Sequence, residues 1–352
     1  MIAKNDESLL PALRLGAALA LACAAVGCDA GGARTTCNRE VGDAHAGEVL
    51  ALAVDGAGTT LASGGADALV KRWRLPDGAL LGALPGHAGA VTSLAISPDG
   101  TRLASGSADA AVKVWGLADG ALLATLAGHA QAVTAVAFSA DGQTLASGSA
   151  DATVRLWRVA DGALLATLTG HARALRGLAI SPDGTYLISS SEDASMGLWS
   201  MPDGSLLATI PTAPAWVTSL ALSLDGTKLV TGGSDNAVRL WSMPDGTTTK
   251  TMSWHTQAVL SVAMSSDQAL LASGSADTTV NLWRVSDGAR WHTIRDHGGA
   301  VNAVALTPDT KLLATGGGDR SIRLWRLPDA RFLGSASDPT LPVRPVVSFS
   351  CD

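Results

Sequence analysis

A tryptophan recurs every 42 residues along the chain, and this period limits the fold more than any other feature of the sequence. The residues in phase are Trp73, Trp115, Trp157, Trp199, Trp241, Trp283 and Trp325. Self-similarity at a fixed period of about 20–50 residues is typical of folds built from copies of one small unit. We therefore predict seven copies of a single unit, rather than the two domains that 352 residues would otherwise suggest.

Three further residue types keep the phase of the tryptophans. Asp lies six residues before each Trp, Ser or Thr lies ten before it, and His lies 28 before it, except that Ala213 replaces one His. In the second, third and sixth units these sets are His87, Ser105, Asp109 and Trp115; His129, Ser147, Asp151 and Trp157; and His255, Ser273, Asp277 and Trp283. A catalytic site would break the symmetry of the repeat, so we interpret these columns as structural.

Each unit is predicted to form four short antiparallel strands, which we call a to d from the centre outward. In the second unit, runs at 91–97, 102–106, 111–115 and 121–125 are separated by turns such as Pro98-Asp99-Gly100. Connections this short leave no room for a helix. Four-stranded units of about 40–45 residues match propeller blades. The predicted fold is all-β: a seven-bladed β-propeller of four-stranded antiparallel blades.

The repeated motifs resemble those of the WD-repeat family. The resemblance extends over roughly residues 44–336 and rests on four motifs: Gly128-His129, Ser97-Pro98-Asp99-Gly100, the run 145–151 and the strand 154–157. It implies that His, Ser or Thr, Asp and Trp of one blade form a hydrogen-bonded tetrad. The Asp that follows Trp in the family pattern is absent here, but that position lies outside the tetrad.

The N-terminus is predicted to be an export signal. Lys4 and Arg14 precede an uncharged apolar run at 15–27, which is too short to cross a bilayer and suits a signal peptide over residues 1–27. The run ends at Ala25-Val26-Gly27-Cys28, which resembles a bacterial lipobox and implies lipid modification of Cys28. Plain cleavage after Ala20-Leu21-Ala22 is the alternative, and it would leave a soluble periplasmic or secreted protein.

Residues 28–44 are predicted to form a tether, 45–336 the propeller and 337–352 a C-terminal tail. How the ring closes is left open by the sequence: the seventh unit has its own candidate outer strand at 331–336, and the segment 36–41 lies in the same phase. Cys37 and Cys351 flank the ring, and in an oxidising compartment a disulfide between them would lock it.

Composition and spacing favour a binding role over a catalytic one. The net charge of −6 argues against a nucleic-acid partner. The Cys and His residues lack metal-ligand spacing, and the unbroken period leaves no long loop for a lid, so we expect no enzyme activity, metal or cofactor. Basic residues of the third strands are predicted to be solvated: Lys71, Arg72, Lys113, Arg155, Arg239 and Arg323.

The loops between blades are rich in Ala and Gly, and a few larger side chains stand out among them as partner-binding candidates. These are Glu48, Gln131, Arg173, Arg176, Trp216, Gln257 and Asn302. Trp and Arg are enriched at binding hot spots. A second interpretation of Trp216 is that it fills the space left by the missing His.

We therefore expect a monomeric, non-catalytic scaffold in the bacterial cell envelope, which contacts the membrane only through its lipid anchor. It would bind a protein or peptide through the propeller face that carries the d–a and b–c loops. The alternative is an envelope enzyme or small-ligand-binding propeller that uses the central channel, where Arg176 and Asn302 would be the polar groups.

Overall fold

The computed structural model describes residues 36–37, 41–201, 203–327, 329–336, 343–344 and 349–350. The chain divides into a large unit, Asp43–Leu341, and a small unit formed by the segments on either side of it. The predicted signal peptide, the lipidation site Cys28 and Cys351 lie outside the described residues. In the small unit Thr36–Cys37 pairs with Phe349–Ser350, and Val41–Gly42 pairs with Val343–Arg344, both antiparallel.

The large unit is a seven-bladed β-propeller, and in each blade four consecutive strands pair antiparallel in the order a-b-c-d. The strands of blades 1 to 4 are Val49–Val54, Thr60–Gly65, Val70–Arg74 and Ala79–Leu84; Val91–Ile96, Arg102–Ser107, Ala111–Gly116 and Leu122–Ala127; Val133–Phe138, Thr144–Ser149, Val154–Arg158 and Leu164–Leu168; and Leu175–Ile180, Tyr186–Ser191, Ser195–Ser200 and Leu206–Pro211. Those of blades 5 to 7 are Val217–Leu222, Lys228–Gly233, Val238–Ser242 and Thr247–Met252; Val259–Met264, Leu270–Ser275, Val280–Arg284 and Arg290–Ile294; and Val301–Leu306, Leu312–Gly317, Ile322–Arg326 and Arg331–Ala336. The predicted fold is confirmed.

Small residues in the b strands let neighbouring blades approach closely. Gly106 of blade 2 faces Val133 of blade 3, and a Cβ on Gly106 would lie only 2.6 Å from the Val133 Cγ1. The repeated Trp fills the wider space between the outer strands: Trp157 of blade 3 packs in one cluster with Val112 and Leu126 of blade 2. One large ring between each pair of sheets explains why the core needs so little Phe and Tyr.

The ring closes without sharing a strand between the two chain ends. Blade 7 is completed by its own strand Arg331–Ala336, which pairs with Ile322–Arg326. We call the junction between blades 7 and 1 the seam. There the buried Val49 packs against Gly316, and Asn302 Nδ2 donates to the Val49 carbonyl at 3.0 Å. The question that the sequence left open is thus answered in favour of the seventh unit's own strand.

Because the strands are antiparallel, the d–a loops and b–c turns emerge on one face of the ring, which we call the tetrad face. The a–b and c–d turns emerge on the opposite face. Among the residues that the structure describes, no helix is long and apolar enough to cross a membrane.

Candidate binding face

The tetrad face is built on a buried hydrogen-bond network that recurs in six blades. In blade 3, His129 Nδ1 lies 2.9 Å from Asp151 Oδ2, its Nε2 lies 2.8 Å from Ser147 Oγ, and the Trp157 indole donates to the same Oγ at 2.8 Å. The same contacts join His87, Ser105, Asp109 and Trp115 in blade 2, and His255, Ser273, Asp277 and Trp283 in blade 6. Each network ties a d–a loop to the b–c turn of the same blade.

The tetrad carries a neutral imidazole beside a carboxylate. Burial lowers the pKa of His129, and the neighbouring Asp151 only partly opposes this. Burial would raise the pKa of Asp151, but hydrogen bonds from Thr153, the Ala130 amide and His129 hold it well below its usual value. A neutral ring that donates Nδ1–H to Asp151 keeps Nε2 as an acceptor, so the Ser147 hydroxyl donates to it and accepts from Trp157. Every member of the network is therefore satisfied.

Blade 5 lacks the histidine, and an arginine takes its place. Arg239 binds both carboxylate oxygens of Asp235, at 3.1 Å from Nη1 and 2.5 Å from Nη2. The Arg239 Nη1 lies 3.2 Å from a Cβ built on Gly233, and in blade 7 the imidazole of His297 lies 2.9 Å from a Cβ built on the corresponding Gly317. The guanidinium thus occupies the space of the missing imidazole.

Trp216 does not fill that space. Its side chain is 41% exposed on the tetrad face, although the Ala215 and Val217 beside it are buried. The interpretation of Trp216 as a substitute for the histidine is therefore wrong. The sequence does not reveal this role of Arg239, because Arg239 belongs to the column of Lys and Arg residues that is predicted to be solvated.

Several basic residues predicted to be solvated are buried. Lys71 is 2% exposed and donates to the Ala44 carbonyl at 2.8 Å, while Arg72 is 7% exposed and donates to the Ala118 carbonyl at 2.8 Å. Arg323 is also buried and forms an ion pair with Asp319. The prediction is wrong at these three positions, because turns of the same or the next blade present acceptors to the charged groups.

Six of the seven binding candidates are exposed on the tetrad face or the rim of the channel. They are Glu48, Gln131, Arg173, Arg176, Trp216 and Gln257. Arg176 forms an ion pair with Glu192, which lies in the b–c turn of the same blade. The seventh, Asn302, is half-buried and bonds to Val49 across the seam.

The central channel holds a cavity of about 270 Å³ lined by the a strands of all seven blades. Its hydroxyl groups are used between blades: Ser93, Ser219 and Ser261 accept hydrogen bonds from amides of the next blade at 3.0–3.2 Å. Thr218 donates to the Val259 carbonyl of the next blade, and to the Gly232 carbonyl of its own blade at 2.9 Å. The polar groups that the channel alternative requires thus hold the ring together. Within the described part of the chain, no three His, Cys, Asp or Glu side chains are grouped so as to hold a metal ion.

A second group of residues, on blade 6, is not among the partner-binding candidates predicted from the sequence. Trp254 is 58% exposed, and the Arg290 guanidinium lies 4.1 Å from the centre of its ring. Both residues interrupt the repeat, because Trp254 stands where blades 2 to 4 have Gly before His and Arg290 stands where their d strands have Leu. Departures from the repeat were the available signal.

Comparison with known families gives seven matches to the model described as WD domain, G-beta repeat. They cover residues 36–74, 78–116, 120–158, 162–200, 202–242, 246–284 and 288–326, which is most of the chain. From the second match on, each takes the outer strand of one blade and the three inner strands of the next. No curated protein matches the sequence.

Proposed function

The chain belongs to the WD40 repeat family, whose propellers generally bind proteins or peptides, and we propose that it is a monomeric, non-catalytic scaffold that docks a protein or peptide on its tetrad face. The exposure of Trp216 carries this proposal. Arg239 already satisfies Asp235, so the fold does not need a large aromatic side chain at position 216. An apolar ring kept half in water is expected to be covered by a partner.

The surroundings of Trp216 support the same role. The d–a loops present mainly Ala and Gly, which gives a flat background, and Arg173 is exposed in the preceding d–a loop. Arg and Trp on an otherwise featureless face have the composition of a binding hot spot. In blade 4 the tetrad holds the loop of Arg173 through His171, and in blade 5 the Ser234 amide donates to the Trp216 carbonyl at 3.0 Å. A partner would therefore meet backbone that is already held in place at both residues.

Crosslinking in cells tests the docking face. A photoreactive amino acid is placed at Gln131, and its crosslinked neighbours are compared between the unmodified chain and an Arg173→Ala/Trp216→Ala variant. The matched control, Arg158→Ala/Leu224→Ala, removes an exposed arginine and an exposed apolar residue from the opposite face. We expect the crosslinks to disappear only in the first variant. Crosslinks that persist there, or vanish equally in both, would contradict the proposal.

We further propose that the protein is exported and lipid-anchored through Cys28 after removal of residues 1–27. The support is the charged start, the short apolar run and the small residues before Cys28. The test compares membrane fractionation and fatty-acid labelling of Cys28→Ser and Cys23→Ser variants. Loss of label and of membrane association is expected only for Cys28→Ser; an unlabelled parent chain would favour plain cleavage.

A further inference from the structure

The rim of the tetrad face on blade 6 departs from the repeat at several positions that lie together. Trp254 replaces the Gly of the Gly-His pair, Arg290 replaces a d-strand Leu, and Arg295 stands where blades 2 and 3 have Ala127 and Thr169. All three line one small cavity of about 80 Å³. Structural elements of this ring recur in every blade, so a cavity made by residues unique to one blade calls for another explanation.

Two guanidinium groups at this cavity have no carboxylate partner among the residues that the structure describes. Arg290 stacks on Trp254 at 4.1 Å and donates to Thr293 Oγ1 at 3.1 Å, but makes no ion pair within the described residues. Arg295 is exposed and makes neither a hydrogen bond nor an ion pair there. By contrast, the exposed Arg158 and Arg326 on the opposite face each pair with the Asp three residues later.

Arg290 is held in place by a chain of contacts that ends in the tetrad. Thr293 Oγ1, which accepts from Arg290, donates to Asn281 Oδ1 at 2.6 Å, and Asn281 Nδ2 lies 3.1 Å from His255 Nε2. Stacking on one side and a hydrogen bond on the other fix the guanidinium. A charged group that is already oriented loses little conformational freedom when it binds an anion.

The remaining lining suits a carboxylate. The cavity of about 80 Å³ is small, and a compact anionic group such as a carboxylate fits it. Thr256 and Thr279 also line it. Asp277 is the one acid in the lining, and its carboxylate already accepts from His255, from the amides of Thr256 and Thr279 and from the Thr279 hydroxyl. Its negative charge nevertheless disfavours a dianion beside it, which selects a carboxylate over a phosphate.

We propose that Arg290, Arg295 and Trp254 form a binding site for the carboxylate of an acidic peptide segment on a protein partner. The guanidinium groups bind the carboxylate oxygens, and the exposed indole face packs on the aliphatic part of the acidic residue. That a protein partner supplies this carboxylate rests on the protein-binding function proposed above. The cavity lining includes neither Arg173 nor Trp216.

Fluorescence anisotropy of the purified chain tests the site. The probes are a fluorescein-labelled oligoglutamate peptide and an oligoglutamine peptide of the same length, at low ionic strength. We expect the oligoglutamate peptide to bind and the oligoglutamine peptide not to bind. Arg290→Gln/Arg295→Gln should weaken binding of the oligoglutamate peptide by about tenfold or more. The stability of this variant should be unchanged, because both side chains are exposed.

The matched control is Arg158→Gln/Arg326→Gln, which changes the net charge equally on the opposite face. An equal loss of binding in this control would overturn the site in favour of general charge attraction. Tighter binding of a phosphoserine peptide than of oligoglutamate would overturn the assignment of the ligand as a carboxylate. If acetate bound with the same affinity as oligoglutamate, the proposal that the site recognises a peptide would be overturned. The Arg173→Ala/Trp216→Ala variant leaves the residues of blade 6 unchanged. The crosslinking experiment, which tests the proposed function, and the peptide-binding experiment, which tests the blade 6 site, can therefore fail independently.

Discussion

Ser190 and Gly177 face each other on neighbouring strands of blade 4. The side chain of this pair is on the b strand and the Gly on the a strand, which is the reverse of the other blades. Ser190 is fully buried where the six other blades have Gly, and Gly177 stands where they have Ala or Ser. A Cβ on Gly177 would lie 3.1 Å from Ser190 Oγ. Within the described part of the chain, the Ser190 hydroxyl has no hydrogen-bond partner. The pair keeps the volume at this position constant while leaving a buried polar group unsatisfied.

We predict strong coupling between these two positions. Gly177→Ala alone should destabilise the protein by about 1–3 kcal/mol, because the added methyl meets Ser190 Oγ and Leu220. Adding Ser190→Gly should recover most of this loss, since the double variant has the combination found in the other blades. Urea unfolding of the two single variants and the double variant measures the coupling. Additive effects would show that the two residues do not share this space.

The tetrad tryptophans should carry far more stability than the exposed ones. Trp157 is buried between blades 2 and 3, so Trp157→Ala should cost about 3–5 kcal/mol. Trp216→Ala is the control, and its free energy of unfolding should change by no more than about 0.5 kcal/mol because the ring is half exposed. Similar unfolding midpoints for the two variants would contradict this division of roles.

The sequence predicts the ring because its signals are local and repeated. Turn residues such as Pro98-Asp99-Gly100 and the tetrad columns lie at fixed offsets, so the period alone gives the number of blades and strands. The burial of Lys71 was not predictable in this way. It depends on the Ala44 carbonyl, 27 residues earlier in the chain, which lies 2.8 Å from the Lys71 Nζ in the folded structure.

The site on blade 6 shows the same limit. Trp254 and Arg290 are visible as departures from the repeat, but 36 positions separate them in the sequence. Only the antiparallel strands of blade 6 bring the loop before strand a next to strand d. A regular repeat predicts what its units share, and function resides in the residues they do not share.

Stability should increase with pH between about 5 and 7. Burial lowers the folded-state pKa of His87, His129 and His255 below their usual 6.5, so the unfolded chain binds more protons in this range. Their contribution is complete above the unfolded pKa and is lost as pH falls through the folded values. The lowered pKa values of Asp151 and Asp277 act in the same direction in more acidic solution. Urea midpoints across this range test the sign, and a midpoint that rises on acidification would contradict it.

The seam between blades 7 and 1 should be as strong as any other junction. Val49 packs on Gly316 across the seam as Val133 packs on Gly106 inside the ring, and both valines are fully buried. Val49→Ala and Val133→Ala should therefore lower the free energy of unfolding by similar amounts, about 1–3 kcal/mol. A markedly smaller effect of Val49→Ala would show that the seam already opens before the ring unfolds.

Arg239 should stabilise the fold mainly by pairing with the charged carboxylate of Asp235. Among the charged groups of the described residues, the carboxylate pairs only with this guanidinium. The hydrogen bond from Arg239 is the main reason for the lowered pKa of Asp235. Arg239→Met should cost about 1–2 kcal/mol, because it leaves a partly buried charge unpaired and water screens only part of that charge. In an Asp235→Asn background the same substitution should cost clearly less, since no charge is left behind. Urea unfolding of the four chains gives the coupling energy, and an equal cost of Arg239→Met in both backgrounds would rule out a histidine-like role for the guanidinium.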